Sequence, residues 1–570
     1  MPRYFIAGIC QSAYRLICTS AYFLIGLFAY LLISTSGHAQ LREIPYHSDS
    51  TFYRADLAIK NAGRCYYLFL EADSLNSLPS GFSSLKHLKG ITLRHCPRVN
   101  WEEMIRQLSQ LPSLEYLEVS VNDIHSLPSG IGALKHLQSL NLKSNALREL
   151  PVSLSQCPNL RYLNLSFERE LNWNETFDLI NDLPALEILD ISSNSFIALP
   201  SSFTSIATLK EVDLSDNRLT ALPADLEKLS GLECISLRNN PSLDFEKALD
   251  VLAKLPSLHK LNLSSNDLKK LPASIGDLKT LEQLDLSSNL LQELPKTIGQ
   301  LTMLRELNLG TGASASRCNR IRNLPNEFSN LTLLEKLNLS RDSVGEIPAA
   351  VAAMPNLKEL DLTFCNVYQI SEALRSCKNL EVLILDHNKI ALIPDWIGEL
   401  ANLRVLQLDG DFFVMRNFKL QVLPRAITQL TKLEVLSVRD QVIPGLPDGF
   451  TQLTHLRILD LRDNLIQKLP DDFSSLQQLE YLDLKANELA TLPPNFSSLK
   501  KLKHLSIAYN TTLDMNAAAV QLKLMTNLQT LDISFNQLTP QLYQGLRQAL
   551  PGTKIIAKGF NNLVWDPDRR

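Results

Sequence analysis

Three kinds of residue in this 570-residue chain could do chemistry if suitably spaced: ten histidines, nine cysteines and 60 acidic side chains. A hydrolytic zinc site would place two histidines one helical turn apart around a glutamate, and a structural one would show paired C-x-x-C spacing. Neither pattern occurs. A serine nucleophile raised on a sharp turn reads G-x-S-x-G, a phosphate cradle reads G-x-x-x-x-G-K-[ST], and a kinase carries its own signature set. All are absent. Acidic pairs recur, Asp460 and Asp483 among them, and are read as carboxylates on a solvated face. The sequence therefore predicts no enzyme, no metal and no cofactor.

What positions these residues is an internal repeat, the first thing to seek in a chain this long. LEILDISSNSFIALPSSFTSIAT from Leu186 and LEQLDLSSNLLQELPKTIGQLTM from Leu281 are two copies of one 23-residue unit. With the first Leu of L-x-x-L-x-L-x-x-N as marker, starts fall at Cys65 (in the Leu place), Leu88, Leu114, Leu137, Leu160, Leu186, Leu209, Leu232, Leu258 and Leu281. Ten more follow at Leu304, Leu334, Leu357, Leu380, Leu403, Leu433, Leu456, Leu479, Leu502 and Leu528. The last two leucines of the marker are two apart, so both point to one face of a short strand while the residues between them face solvent. Stacking such units joins their leucines into one continuous core. The Asn is polar at a buried turn, so its amide must satisfy backbone groups. Leu-Pro then opens an extended outer segment, and x-x-Ile-x-x-Leu brings the chain back.

These residues resemble the leucine-rich-repeat family, in particular its 23-residue L-P-x-x-I subtype, from Cys65 to about Leu550. The resemblance implies an α/β solenoid with a parallel sheet on a concave side and a mostly extended convex side. It also implies recognition of another macromolecule, usually on the concave face. Twenty strands at ~4.8 Å spacing would make a sheet of roughly 90–100 Å, ample for the ~800 Å² per partner of an ordinary interface.

Departures from the unit are ordered. Leu88, Leu160, Leu232 and Leu304 are 72 residues apart, and Leu304, Leu403 and Leu502 are 99 apart, as if blocks of three and then of four repeats had been copied. Four units replace Leu-Pro by text with helical spacing: NWEEMIRQLSQL from Asn100, NWNETFDLINDL from Asn172, DFEKALDVLAKL from Asp244 and DMNAAAVQLKL from Asp514. In the first two an Asn stands three residues before a Glu, close to a capping box. Two units carry seven extra residues between strand and turn. The first insert is polar, around Gly310 to Cys318, and the second, Asp409 to Phe418, is apolar and puts Phe418 where Asn is expected.

Candidate binding residues come from two places. The third residue of each unit is mostly polar until Val382, Val405, Val435, Ile458 and Tyr481, an apolar stripe across five successive repeats. Ile384 adds to the stripe and Arg439 and Arg462 border it, an apolar centre with a charged rim as interfaces have. Phe412, Phe413 and Met415 in the second insert are the other candidates, because binding residues concentrate on loops held by rigid scaffolds. The cysteines fit the repeat: Cys96 and Cys365 replace the turn Asn, Cys157 and Cys377 replace a core Leu, and Cys65 opens the first strand. All five are expected to be buried thiols. Cys234 and Cys318 are the accessible pair.

The chain opens with Arg3 and Arg15 ahead of the apolar run Ala21 to Ile33 and small residues at Gly37 and Ala39. That is the pattern of a secretory signal, with cleavage expected after Ala39. Residues 40–64 are expected to cap the array, with an amphipathic helix from Ser50 to Ala62, and 65–550 to form the repeats. Residues 551–570 then form a terminal cap and tail, with Phe560 and Trp565 as plugs. A formal charge of −4 gives no footprint for nucleic acid, and no stable membrane insertion is expected after cleavage. A secreted or periplasmic monomer binding a protein or glycan is the reading the sequence favours. A self-associating envelope component, or an intracellular scaffold if the first segment is no signal, is the alternative.

Overall fold

A computed structural model describes residues 50–71, 75, 77–311, 318–411 and 415–559. The expected signal segment 1–39, Phe412, Phe413, Phe560 and Trp565 lie outside the described residues. The chain forms two compact units. The first holds the residues up to Asn194 with Pro200–Asp213, and the second holds Ser195–Leu199 with everything from Leu214 onward.

Each of the twenty starts carries a strand that begins at its third residue. In the first unit these strands follow Thr51–Phe52 and pair in parallel from Tyr67–Glu71 to Glu211–Asp213. In the second they run from Cys234–Ser236 to Thr530–Asp532 and end on Lys554–Ile556. Registers hold place for place: Lys260, Leu261 and Asn262 face Gln283, Leu284 and Asp285. Leu261 is buried between two outward neighbours, as the alternation requires.

In most repeats the turn after the strand is held by an asparagine row. Asn289 donates from Nδ2 to the carbonyls of Leu286 and, one repeat back, Leu263 (both 2.9 Å). Its Oδ1 accepts from the amides of Asn266 (2.9 Å) and Leu268 (3.1 Å). One side chain thus serves four backbone groups that would otherwise be stranded in the core. The preceding residue is left-handed in repeat after repeat, from His95 (φ 49°) to Phe535 (φ 58°).

The outer segment is extended only as far as its proline, a departure from the sequence expectation. Pro295 (φ −67°, ψ 149°) heads a 3-10 turn over Lys296–Gln300 in which the Ile298 amide donates to the Pro295 carbonyl (3.0 Å). The fixed proline φ and the inward pull of Ile298 close the turn. Successive turns pack so closely that a Cβ at Gly276 would sit 2.7 Å from the Thr297 carbonyl oxygen.

The four helical units are helices: Trp101–Leu108, Trp173–Asn181, Phe245–Leu252 and Met515–Leu522. Asn100 caps the Glu103 amide (3.1 Å), but Glu103 turns to Arg106 and Gln107 rather than back to Asn100. Asn172 makes no side-chain cap. The expected capping box is therefore half built in the first helix and absent in the second. At the amino end the helix is shorter than expected, Ala55–Lys60, because Thr51–Phe52 joins the sheet instead. At the other end helix Pro540–Ala549 and strand Lys554–Ile556 close the array.

Candidate partner-binding surface

The apolar stripe exists as a row of neighbours. Val382, Val405, Val435, Ile458 and Tyr481 are partners in successive parallel pairings on the outward side of the strands. The first four are buried all the same, Val435 to 1% exposure. Branched side chains on strands ~4.8 Å apart cover one another, so facing outward does not make them accessible. Ile384 and Tyr481 keep intermediate exposure.

The arginines beside the stripe are engaged. The Arg439 guanidinium pairs with Asp409 at 2.7 Å, and Ser437 also donates to that carboxylate (2.6 Å). Arg462 pairs with Asp460 at 2.5 Å and with Asp483 at 3.5 Å. The Tyr481 hydroxyl donates weakly to Asp483 (3.4 Å). Asp460 and Asp483 are thus buried groups rather than solvated ones. At their place in the repeat a carboxylate also holds the backbone, since Asp460 accepts the amide of Arg462 (3.2 Å) and Asp483 that of Lys485 (2.9 Å). Burial, with Asp460 close by, pushes the Asp409 carboxyl up to about 7 and that of Asp483 to about 6. Burial and then Asp409 raise Asp386 as well.

From the repeat at Leu380 to that at Leu502 the second residue of each unit forms a row of alternating charge. Glu381, Arg404, Glu434, Arg457, Glu480 and Lys503 make five consecutive ion pairs between 2.6 and 4.0 Å. In the first unit Lys89, Glu115, Gln138, Arg161 and His136 line a shallow polar groove of about 420 Å³.

Three groups escaped the sequence reading, although aligning the repeats exposes them: the turn Asn is Glu168, Asp342 and Gln441 in three units. Glu168 accepts the amides of Asn145 (2.5 Å) and Leu147 (2.9 Å), and burial lifts its carboxyl to about 7. Asp342 accepts the Ile321 amide (2.9 Å) with one oxygen while the other is buried without a partner. Burial lifts it to about 8. Gln441 spans the longer gap behind the second insert, taking the Leu420 amide (2.8 Å) and donating to the Leu408 carbonyl (2.7 Å).

Cys96 and Cys365 keep part of the asparagine role, each thiol donating to a backbone carbonyl, of Arg94 (3.1 Å) and Leu339 (2.9 Å). All seven described cysteines are free thiols, Cys234 and Cys318 the more accessible two. Met415 is 69% exposed at the foot of the second insert. Among the described residues no group of three His, Cys, Asp or Glu is arranged to hold a metal ion, and no helix is long and apolar enough to cross a membrane.

Comparison with known proteins places this geometry. The profile described as leucine-rich repeat region matches residues 68–171, 243–377 and 448–549, and a second, leucine rich repeat, matches 207–268 and 355–412. No curated relative matches the sequence. Among solved structures, a leucine-rich-repeat protein of Leptospira interrogans is 25% identical over 89% of this chain and 99% of that one, with a TM-score of 0.41. The TLR13–ssRNA13 complex is 21% identical over 86% of this chain and 80% of that one, with a TM-score of 0.51, a likeness of fold. The plant peptide hormone receptor RGFR1 in complex with RGF2 is 20% identical over 91% of both chains, at 0.47.

Proposed function

The chain belongs to the leucine-rich-repeat family, and on that premise we propose that it is a secreted or periplasmic protein that recognises a protein partner on its strand face without catalysing a reaction. The observation that carries this reading is the division of labour inside each repeat. Leucines and the turn Asn serve the core and the backbone, while outward places such as Lys260, Gln283 and Ile384 change from copy to copy at intermediate exposure. A constant scaffold with a variable face supplies area and specificity together. The family supports binding as the general role, since its members recognise macromolecules, and the fold itself does not fix the partner. The apolar run at Ala21 to Ile33 supports export.

The test pairs the native chain with a variant carrying Lys260→Ala, Gln283→Ala and Ile384→Ser, both used to capture partners from the surroundings of the protein. A protein held by the first and lost by the second, with equal folding by circular dichroism, supports strand-face recognition. Equal capture by both moves the site off this face, and a captured glycan would replace the protein partner. Amino-terminal sequencing of the native protein should begin at Gln40; an intact Met1 would overturn export by cleavage. Sedimentation as a higher oligomer would favour the self-associating alternative.

A further inference from the structure

The accessible apolar surface near the second insert lies on the flank of the repeats rather than on the strands. Tyr368, Leu392 and Val422 are 52, 69 and 56% exposed, and they stand just before the returning outer turns of three consecutive repeats. Leu392 and Val422 occupy the same place in their units, two residues before Pro394 and Pro424. The 3-10 turns that follow, Asp395–Glu399 and Arg425–Gln429, pack on one another, so these side chains are neighbours across the stack. On the same flank the Lys389 amide donates to the Val367 carbonyl (2.8 Å), and its ammonium lies 5.2 Å over the Tyr368 ring. No other three consecutive repeats among the described residues expose large apolar side chains on this flank.

The unpaired charge along this stretch is mainly positive. Lys389, Arg416 and Arg425 make no ion pair with any described carboxylate, whereas Arg375, Arg404, Arg439 and Arg457 in the same stretch are all paired. Asp395, which opens the turn after Leu392, is an acid at the place that Arg425 holds in the next repeat. An exposed apolar strip on a rigid stack, edged by unpaired cations, matches a segment that offers apolar side chains with carboxylates between them.

We propose that the flank formed by Tyr368, Leu392 and Val422, with Lys389, Arg416 and Arg425 at its edge, docks an acidic, apolar segment of a protein partner. The proposal rests on the binding reading above and adds a second surface to it, off the strand face.

The experiment uses the full chain and three synthetic twelve-residue probes labelled for fluorescence anisotropy: alternating glutamate and leucine, alternating lysine and leucine, and alternating glutamate and serine. The glutamate–leucine probe should bind at least about tenfold more tightly than either other probe, the equivalent of ~1.4 kcal/mol. Leu392→Ser with Val422→Ser should abolish that preference. Arg416→Glu with Arg425→Glu should weaken binding and flatten its dependence on salt. Val435→Ser with Tyr481→Ser, on the strand face, should leave it unchanged if that variant remains folded; Gln283→Ala on the same face serves as a milder control. Equal binding of all three probes, or binding unaffected by the Leu392 and Val422 changes, overturns the proposal. Loss with the strand-face control but not with the flank variants overturns it too and leaves strand-face recognition standing. Self-association that the flank variants abolish would make the occupant a second copy of this chain, and the acidic-segment assignment would fall.

Discussion

Replacing Asp342 by asparagine should stabilise the protein, and by an amount set by pH. In most repeats this place holds an amide that both accepts and donates; here it holds a carboxyl with one oxygen on the Ile321 amide and the other buried without a partner. An ionised acid can accept but not donate, and burial without a cation makes its charge unfavourable. The folded-state value of about 8 lies above the ordinary 3.8. The folded chain therefore holds a proton that the unfolded chain releases. The contribution of this group is fully present below about pH 4 and is lost as pH rises toward 8, with a slope of ~1.4 kcal/mol per unit. The shift of about 4 units corresponds to a loss on the order of 5 kcal/mol above pH 8 and about 4 kcal/mol at pH 7. Asp342→Asn removes that loss because an amide needs no proton. The assay is urea unfolding followed by circular dichroism for both proteins at pH 4.5, 6, 7.5 and 9. Glu168 and the strand-face acids titrate alike in both, so only the difference between the curves is read. The two midpoints should nearly coincide at the lowest pH and separate steadily as pH rises. A difference that does not change between pH 4.5 and 9 would refute the argument, since Asp342 would then be ionised in the folded chain.

Three further outcomes follow from the packing. Leu261→Ala should cost about 2–5 kcal/mol, read as a lowered urea midpoint, because a fully buried Leu leaves a cavity that the stacked strands cannot close. Arg439→Ala strands the buried Asp409 carboxylate and should cost about 3 kcal/mol at pH 8, with a smaller penalty at pH 5, where Asp409 is protonated. Differential scanning calorimetry at the two pH values checks it. Tyr481→Ala should lower stability by about 1–2 kcal/mol, not leave it untouched as an exposed position would, since its ring lies in the stripe and its hydroxyl reaches Asp483.

Much of this architecture was legible as spacing. The twenty strand starts and the four helical units follow from periods of 2 and 3.6 and from the Leu-Pro punctuation, which are local properties of the chain. The candidate surface was less legible, for a physical reason. Alternation says to which side Val405 or Val435 points, but coverage depends on the neighbours one repeat away. Branched neighbours on the strands close over each other, while Leu392 and Val422 on the outer flank stay bare. Arg439 and Asp409 share one place in successive repeats, so their pairing could have been read by aligning the units. The same alignment reveals Glu168, Asp342 and Gln441. The burial that raises the two acids, and the oxygen left without a partner, required coordinates.

The alternating charges along the strand entries, Glu381 to Lys503, constrain how such a chain can change length. Loss of a single repeat from this stretch would bring two like charges face to face, Glu381 against Glu434 or Arg404 against Arg457. Loss or gain of two would restore every pairing. Like charges opposed across adjacent strands are unfavourable, so this part of the array has a parity: it tolerates edits in even steps and resists odd ones. The copied block of four repeats from Leu304 to Leu403 obeys that rule.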